Sequence, residues 1–358
     1  MNHKKQSTKT KPRYGLFYFM KLYWRNSNKN INIILILALL MVSAIQVFSI
    51  VALNKWQNYF FDALQTYNSN KLVHAVIIFF VIILFFTAAI ALVGYLSGFI
   101  SLKWRKQLTD HFSALWLRNN NYHHLQANKK IDNPEQRISD DMANLPALTL
   151  QIAVQVFQSL LTLVSFSLIL WKLSDQWAIS ISGAIYHLPG VYLYSIILYS
   201  LIFNIVIFAI GHNLINLNYD NQALTANFRF NMSLIREHSD SVGLQKLEGY
   251  YANKLTRNFT KVFINSWNIL RLDRWIVSVR NLYVSCAMVA LQAVALPAYF
   301  LGHLSIGYMM QVGTAGVSLN LALAVLIMAY ENIAQLRAAH MRVSELEAEC
   351  VDLNNLNQ

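Results

Sequence analysis

Negative charge is scarce in this chain. Of 358 residues only 17 are Asp or Glu, against 29 Lys or Arg, and all charged residues together make 13%. That is about half the share usual in soluble proteins, so a soluble fold with a well-charged surface is excluded. Cysteine is nearly absent too. Cys286 falls in an apolar block and Cys350 in the acidic C-terminal stretch, so neither a disulfide framework nor a cysteine metal cluster is expected. No GxxxxGK[ST] phosphate loop occurs, so these residues do not hydrolyse ATP in the P-loop manner. No Ser-His-Asp or Cys-His constellation stands out, and neither enzymatic activity nor a cofactor is expected of the chain itself. His123-His124 resembles a metal pair, but adjacent helical side chains point about 100° apart, and no acid or cysteine at ligand spacing joins them.

What the chain has instead is apolar residues, 56% of the total, and they fall in blocks. Six blocks, at about 31–53, 73–100, 147–171, 188–215, 275–301 and 306–330, each reach the roughly 20 residues that cross the hydrocarbon layer. The first is too long for a signal-peptide core and lacks a convincing cleavage site, so it is read as a retained span. The stretch 176–187 is also apolar, but His187-Leu188-Pro189-Gly190 reads as a break before the fourth span. Pro146 and Pro189 are expected where helices begin, which proline tolerates. The expected fold is all-α, with six transmembrane helices. The expected parts are a basic N-terminal segment at 1–30, the membrane domain at 31–348 and a short tail at 349–358.

The net charge of +12 has two readings, nucleic acid or membrane topology. No nucleic-acid-binding motif or aromatic-and-basic strip is present, and the basic residues flank the apolar blocks. Lys4, Lys5, Lys9, Lys11, Arg13, Lys21, Arg25 and Lys29 precede or open the first span. Lys103, Arg105, Lys106, Arg118, Lys129, Lys130 and Arg137 lie between the second and third. Arg229, Arg236, Lys246, Lys254, Arg257, Lys261, Arg271 and Arg274 lie between the fourth and fifth. The intervening loops hold only Lys55, Lys71 and Lys172. The positive-inside rule then places both termini and the two long loops in the cytoplasm, in a bilayer and not on nucleic acid. The long loops lack the Pro/Gly/Ser richness of disordered linkers. Phe228, Phe230, Leu234, Ile235, Val242 and Leu244, spaced among polar residues, suit helices that continue past the membrane.

Three stretches stand out. Residues 131–141 read Ile-Asp-Asn-Pro-Glu-Gln-Arg-Ile-Ser-Asp-Asp, a charged helix start between two apolar segments. Asn133 can cap it through its side-chain oxygen, Pro134 fits the first helical position and Gln136 stands at the capping-box position. The plain reading is a solvated helix start, and the functional one adds a docking surface for a cytoplasmic partner. Residues 53–64, Leu-Asn-Lys-Trp-Gln-Asn-Tyr-Phe-Phe-Asp-Ala-Leu, are sufficiently explained as an interfacial aromatic belt. Phe228-Arg229-Phe230 and Arg236-Glu237 lie on the fourth helix's extension, where an exposed ion pair is worth little but an Arg-Glu pair can also shape a coupling loop. None of the inner thirds of the spans holds Asp or Glu. Such acids mark proton or cation routes, so a relay through the bilayer centre is disfavoured, while one through an inner vestibule by way of Asp273 or Glu331 stays open.

Together these stretches, with Trp104-Arg105-Lys106-Gln107-Leu108-Thr109 and Arg337-Ala338-Ala339, resemble the membrane domain of ATP-binding cassette transporters of the subfamily D and YddA type. The SbmA/BacA peptide transporters share that membrane fold. The resemblance covers about 14–348 and is most specific at Asn133-Pro134-Glu135-Gln136-Arg137. It implies a homodimer whose fourth and fifth helices cross to the partner, and coupling regions near 120–135 and 238–250 that touch ATPase domains. By that resemblance the docking residues are Asn133, Pro134, Glu135, Gln136, Arg137, Asp140, Phe228, Arg229, Arg236, Glu237 and Glu248. Three departures accompany it. The sequence stops at Gln358, where YddA-type proteins continue into an ATPase domain. Thr225 and Asn227 stand where acids are expected, and Lys246-Leu247-Glu248 replaces an expected Gly-Gly-Glu.

The resulting expectation is a transporter's membrane subunit. It would move an organic solute, peptide-like or cobalamin-like, across the inner membrane, energised by an ATPase on a separate chain. The alternatives are a proton-driven SbmA/BacA-like peptide importer and a non-transporting scaffold or sensor of the same fold.

Overall fold

The computed structural model describes residues 13–25, 29–128, 131, 133–181, 184–328 and 330–356. In chain order they form α1 (Leu16–Arg25), α2 (Lys29–Gln65), α3 (Ser69–Leu117), α4 (Asn121–Asn128) and α5 (Pro134–Gln136). A π-helical turn, Arg137–Asp141, leads into α6 (Met142–Leu173). Then come a small hairpin, β1 (Ile179–Ile181) and β2 (Ala184–Tyr186), and the helices α7 (Val191–Glu237), α8 (Ser239–Leu244), α9 (Glu248–Phe300), α10 (Ile306–Met328) and α11 (Tyr330–Leu356).

Among the described residues six helices, α2, α3, α6, α7, α9 and α10, are long and apolar enough to cross a membrane, and each holds most of one expected span, with 188–215, 275–301 and 306–330 overrunning their helices by one to three residues. At 1.5 Å per residue, α3, α7 and α9 run roughly 70–80 Å, more than twice a hydrocarbon thickness of about 30 Å. Their excess carries the polar, basic sequence of the two long loops. Apolar side chains remain exposed along the spans, Phe80, Leu84, Ile205 and Phe208 among them. In water that exposure would be prohibitive, and in lipid it is the lowest-energy arrangement.

The chain divides into two compact units. The first comprises Met1–Ile169, Ser305–Gln311 and Leu321–Gln358. Its core joins Phe19 and Tyr23 of α1 to Trp104, Leu108 and Phe112 of α3, Leu145 of α6, and Val343, Leu346 and Cys350 of α11. Phe19 and Tyr23 are four residues apart and so share one face of α1, while Lys21 is exposed. Buried Asn32 donates to the carbonyl of Tyr23 at 3.2 Å and accepts from Lys103 Nζ at 2.7 Å, which ties the start of α2 to α1 and α3. Residues 349–356 are not a separate tail, as expected, but continue α11, with Cys350 and Leu353 buried in this core.

At the other end of α2, the stretch read as an aromatic belt is also a polar seam. Asn54, Asn58 and Asp62, four residues apart, share one helix face. Asn54 Nδ2 donates to the Gln311 carbonyl at 2.8 Å, Gln311 Nε2 donates back to Asn54 Oδ1 at 3.2 Å, and Asn58 Nδ2 donates to Gln311 Oε1 at 2.7 Å. Gly307, one turn earlier on α10, has the Asn58 carbonyl and the Asp62 carboxylate where a Cβ would stand. The Gln65 side chain accepts from the first amide of α10, Ile306 N, at 3.0 Å.

The second unit comprises Leu170–Leu304 and Val312–Asn320. It is built on the antiparallel pair α7 and α9, joined at Tyr199 OH to the Tyr283 carbonyl (2.7 Å), Asn265 Nδ2 to the Leu217 carbonyl (2.8 Å) and the Phe228–Phe259 rings (5.5 Å). The apolar stretch 176–187 is no span. Its described residues include the antiparallel pair β1 and β2, with Ile179 opposite Tyr186. Trp177 Nε1 beside it donates to the Val294 carbonyl at 2.8 Å. Gly190 opens α7 at φ +73°, with the Trp171 ring 2.7 Å from where a Cβ would lie, so only glycine fits there. Pro146 is not at a helix start as expected. It lies inside α6, on the helix that the π turn leads into, where it withholds an amide from the helix ladder.

Candidate functional site

The first long loop is shaped by helix-breaking asparagines. Asn119 and Asn120 adopt left-handed backbone angles, φ 50° and 56°, which asparagine tolerates better than most residues. They turn the chain from α3 into α4. Asn119 and Asn121 both donate to Asn354 Oδ1 of α11, at 3.1 and 3.3 Å. The run Arg118-Asn119-Asn120-Asn121 carries a turn signature that the sequence reading had not used.

Asn133 works differently from the expectation. Its side chain makes no cap bond, and its backbone is left-handed, φ 46° and ψ 63°, outside the extended region from which a capping side chain reaches the second and third helical amides. Its carbonyl instead accepts from the amides of Gln136 and Arg137 at 3.1 and 3.2 Å. Pro134 does take the first helical position.

The π turn then presents Arg137 and Asp141 to α11. Arg342 grips Asp141 bidentately, Nε to Oδ2 at 2.8 Å and Nη2 to Oδ1 at 2.6 Å. Asp141 is buried, and its hydrogen bonds hold the Arg342 guanidinium pKa above its ordinary value. Arg137 donates through Nη1 to the Arg342 carbonyl at 2.9 Å and to Glu345 at 3.1 Å. Asp140, which the resemblance had singled out, is exposed and accepts only from the neighbouring Ser139 hydroxyl (2.8 Å) among the described residues. The acid that holds the loop is Asp141, one residue on.

A second set of contacts fastens the same helix to α1 and α3. Glu347, almost fully buried, accepts from Tyr18 OH at 2.7 Å and lies 3.1 Å from His111 Nε2. Tyr14 N donates to Ser344 Oγ at 3.0 Å, and Arg13 pairs with Asp352 at 2.6 Å. Burial pushes the Cys350 thiol up to about 12. So α11 is the strut on which α1, the end of α3, α4 and the π turn converge. Two surface hollows flank α5, of about 450 and 620 Å³, with Trp116 and Glu135 lining both. A polar hollow of about 490 Å³ lies around Arg137, Asp140 and Arg342.

The second long loop turns through α8, with Val242 buried and Leu244 exposed. It closes with the hydrogen bonds Lys246 N to the Gly243 carbonyl (3.2 Å) and Leu247 N to the Val242 carbonyl (3.1 Å), a Schellman turn whose left-handed position is Lys246 at φ 51°. This is where the resemblance led one to expect glycine. Phe228 is half-buried against Phe259, while Arg229, Arg236, Glu237 and Glu248 are exposed. Arg236 and Glu237 enter no ion pair among the described residues. Asp273 is exposed on α9, and the Glu331 side chain lies outside the described part of α11.

Residues 20–300 match the family profile of the ABC transporter transmembrane region 2. The chain belongs to this family. It is accordingly a multi-pass membrane protein and a membrane component of a transporter. It is similar to the inner membrane ABC transporter ATP-binding protein YddA of Escherichia coli, 26% identical over 329 residues, 91% of this chain and 59% of the relative. An uncharacterized ABC transporter ATP-binding protein of Synechocystis is 28% identical over 255 residues, covering 70% of this chain and 36% of the relative. The chloroplastic ABC transporter D family member 2 of Arabidopsis thaliana is 25% identical over 217 residues, 61% and 29% of the two chains. The chain thus spans under two thirds of the length of each of these relatives.

Proposed function

We propose that this chain is the permease subunit of a transporter that moves an organic solute, peptide-like or cobalamin-like, across the bacterial inner membrane. It acts as a homodimer, with both termini and both long loops in the cytoplasm, and an ATPase on a separate chain drives it. The observation that carries this reading is the first long loop, where the π turn is pinned to α11 through Arg137 and Asp141 and the start of α4 through Asn121. A loop so braced transmits force from a docked partner into α3 and α6, and the hollows beside α5 offer that partner a footing. The similar proteins named as ATP-binding support the choice of an ATPase as partner. The chain itself has no catalytic residue or cofactor in this reading.

The test is gentle purification from the native membrane, with ATP hydrolysis measured on whatever accompanies the chain. A stoichiometric partner with ATPase activity supports the proposal. Absence of partner and hydrolysis overturns it in favour of the proton-driven carrier, with Asp273 and Glu331 as the carboxylates to replace. A docked partner without solute flux in vesicles overturns it in favour of a scaffold or sensor.

A further inference from the structure

Where α1, α2, α3 and α6 meet, the first unit leaves a crevice of about 170 Å³. Its walls include Tyr23 and Trp24 of α1, Leu40 of α2, Trp104 of α3, and Leu150 and Ala153 of α6. No polar atom faces it. The Thr149 hydroxyl turns away to donate to the Leu145 carbonyl at 2.6 Å, and the Trp104 indole donates to the Phe19 carbonyl at 3.1 Å. An apolar hollow of this kind does not hold water, and left empty it forfeits the dispersion contacts of every wall atom. It calls for an apolar occupant.

We propose that the crevice is a phospholipid site, holding part of one acyl chain of an anionic phospholipid from the surrounding bilayer, with the headgroup at Lys21 and Lys29. Depth argues for a lipid. Leu39 and Leu40 lie roughly 12 Å into the first span, and Trp104 just beyond the second, so the crevice sits where chains leave their glycerol. The mouth is open, since Ala153 on its wall is exposed. Charge argues for an anionic headgroup. Lys21 on α1 and Lys29 at the first position of α2 are both exposed at the basic end of these spans. A resident lipid is favoured over a transported solute by the walls themselves. Tyr23, Leu39, Ile100 and Trp104 belong to the buried core of the unit, and a wall built from core residues does not part at each cycle.

The whole chain is placed in phosphatidylcholine nanodiscs doped with phosphatidylglycerol, released, and weighed by native mass spectrometry. One phosphatidylglycerol should stay on each chain, favoured several-fold over phosphatidylcholine. Ala153→Phe, which plugs the mouth, and Leu40→Phe, which fills the crevice from α2, should each lose it. Lys21→Glu with Lys29→Glu should keep a lipid but lose the preference. No retained lipid on the wild type, equal retention in the folded Phe variants, or a retained molecule that is not a lipid overturns the proposal. If neither Phe variant folds, tryptophan emission decides. Brominated-chain phosphatidylglycerol should quench the wild type more than Trp24→Phe, and equal quenching overturns the site.

Discussion

Arg342 and Asp141 meet through two charge-assisted hydrogen bonds, 2.6 and 2.8 Å long, although 201 residues separate them in the chain. The carboxylate is buried and the guanidinium half-exposed. Solvent therefore screens part of the attraction, but loss of the arginine strands a buried charge. Arg342→Ala should destabilise the protein by roughly 1–3 kcal/mol. Arg342→Lys should recover only part of this, because an ammonium cannot span both oxygens. Asp140→Asn should be near neutral. Thermal melting in detergent separates these outcomes, and equal losses from Asp140→Asn and Arg342→Ala would show the assignment to be mistaken.

Arg137 joins the π turn to the Arg342 carbonyl and to Glu345. Arg137→Ala should abolish transport while leaving membrane insertion intact. Solute flux in vesicles, read beside a membrane-extraction assay, checks this, and unchanged flux would refute a coupling role for the loop.

Gly307 has no room for a side chain, since the Asn58 carbonyl and the Asp62 carboxylate occupy the space. Gly307→Ala should push α10 away from α2, break the Asn54–Gln311 exchange and cost about 1–3 kcal/mol. A thermal midpoint equal to the wild type would mean the seam yields without cost.

Three helices end in the same turn, α2 at Tyr67, α8 at Lys246 and α9 at Gly302, and only the third has glycine in the left-handed position. A side chain there costs roughly 1–2 kcal/mol, and glycine gives back part of this through its freedom in the unfolded chain. Tyr67→Gly and Lys246→Gly should each stabilise their turn by up to about 1 kcal/mol. Slower amide exchange in the residues just before each turn would show it.

The Cys350 thiol, with burial raising its pKa from 9.0 to about 12, should stay protonated and unreactive in the folded protein at neutral pH. A proton held more tightly in the folded state favours folding below about pH 9, the unfolded value, and that contribution is lost as pH rises toward 12. Thiol-directed labelling of Cys350 should be slow until denaturant is added, whatever the exposed Cys286 does, and fast labelling of Cys350 in the native protein would contradict its burial.

Much of this protein was legible without coordinates. A span is a local property, since about 20 apolar residues in a row partition into lipid whatever their neighbours do. The six spans and the long helical extensions of α7 and α9 therefore followed from hydropathy and charge alone, and the stretch around Asn133-Pro134-Glu135-Gln136-Arg137 pointed to the family. Tertiary structure decided which polar groups meet. Asp141 was chosen over Asp140, Asn54 to Asp62 became a seam against α10 as well as a belt, and α11 became a strut in place of a separate tail. Each depends on residues far apart in sequence, such as Arg342, Gln311 and Glu347, whose pairing is set by how helices pack and not by any spacing along the chain. The same holds for the backbone at Asn133 and Lys246. Hydrogen bonds around each turn hold both in left-handed conformations, which asparagine tolerates and lysine does not favour.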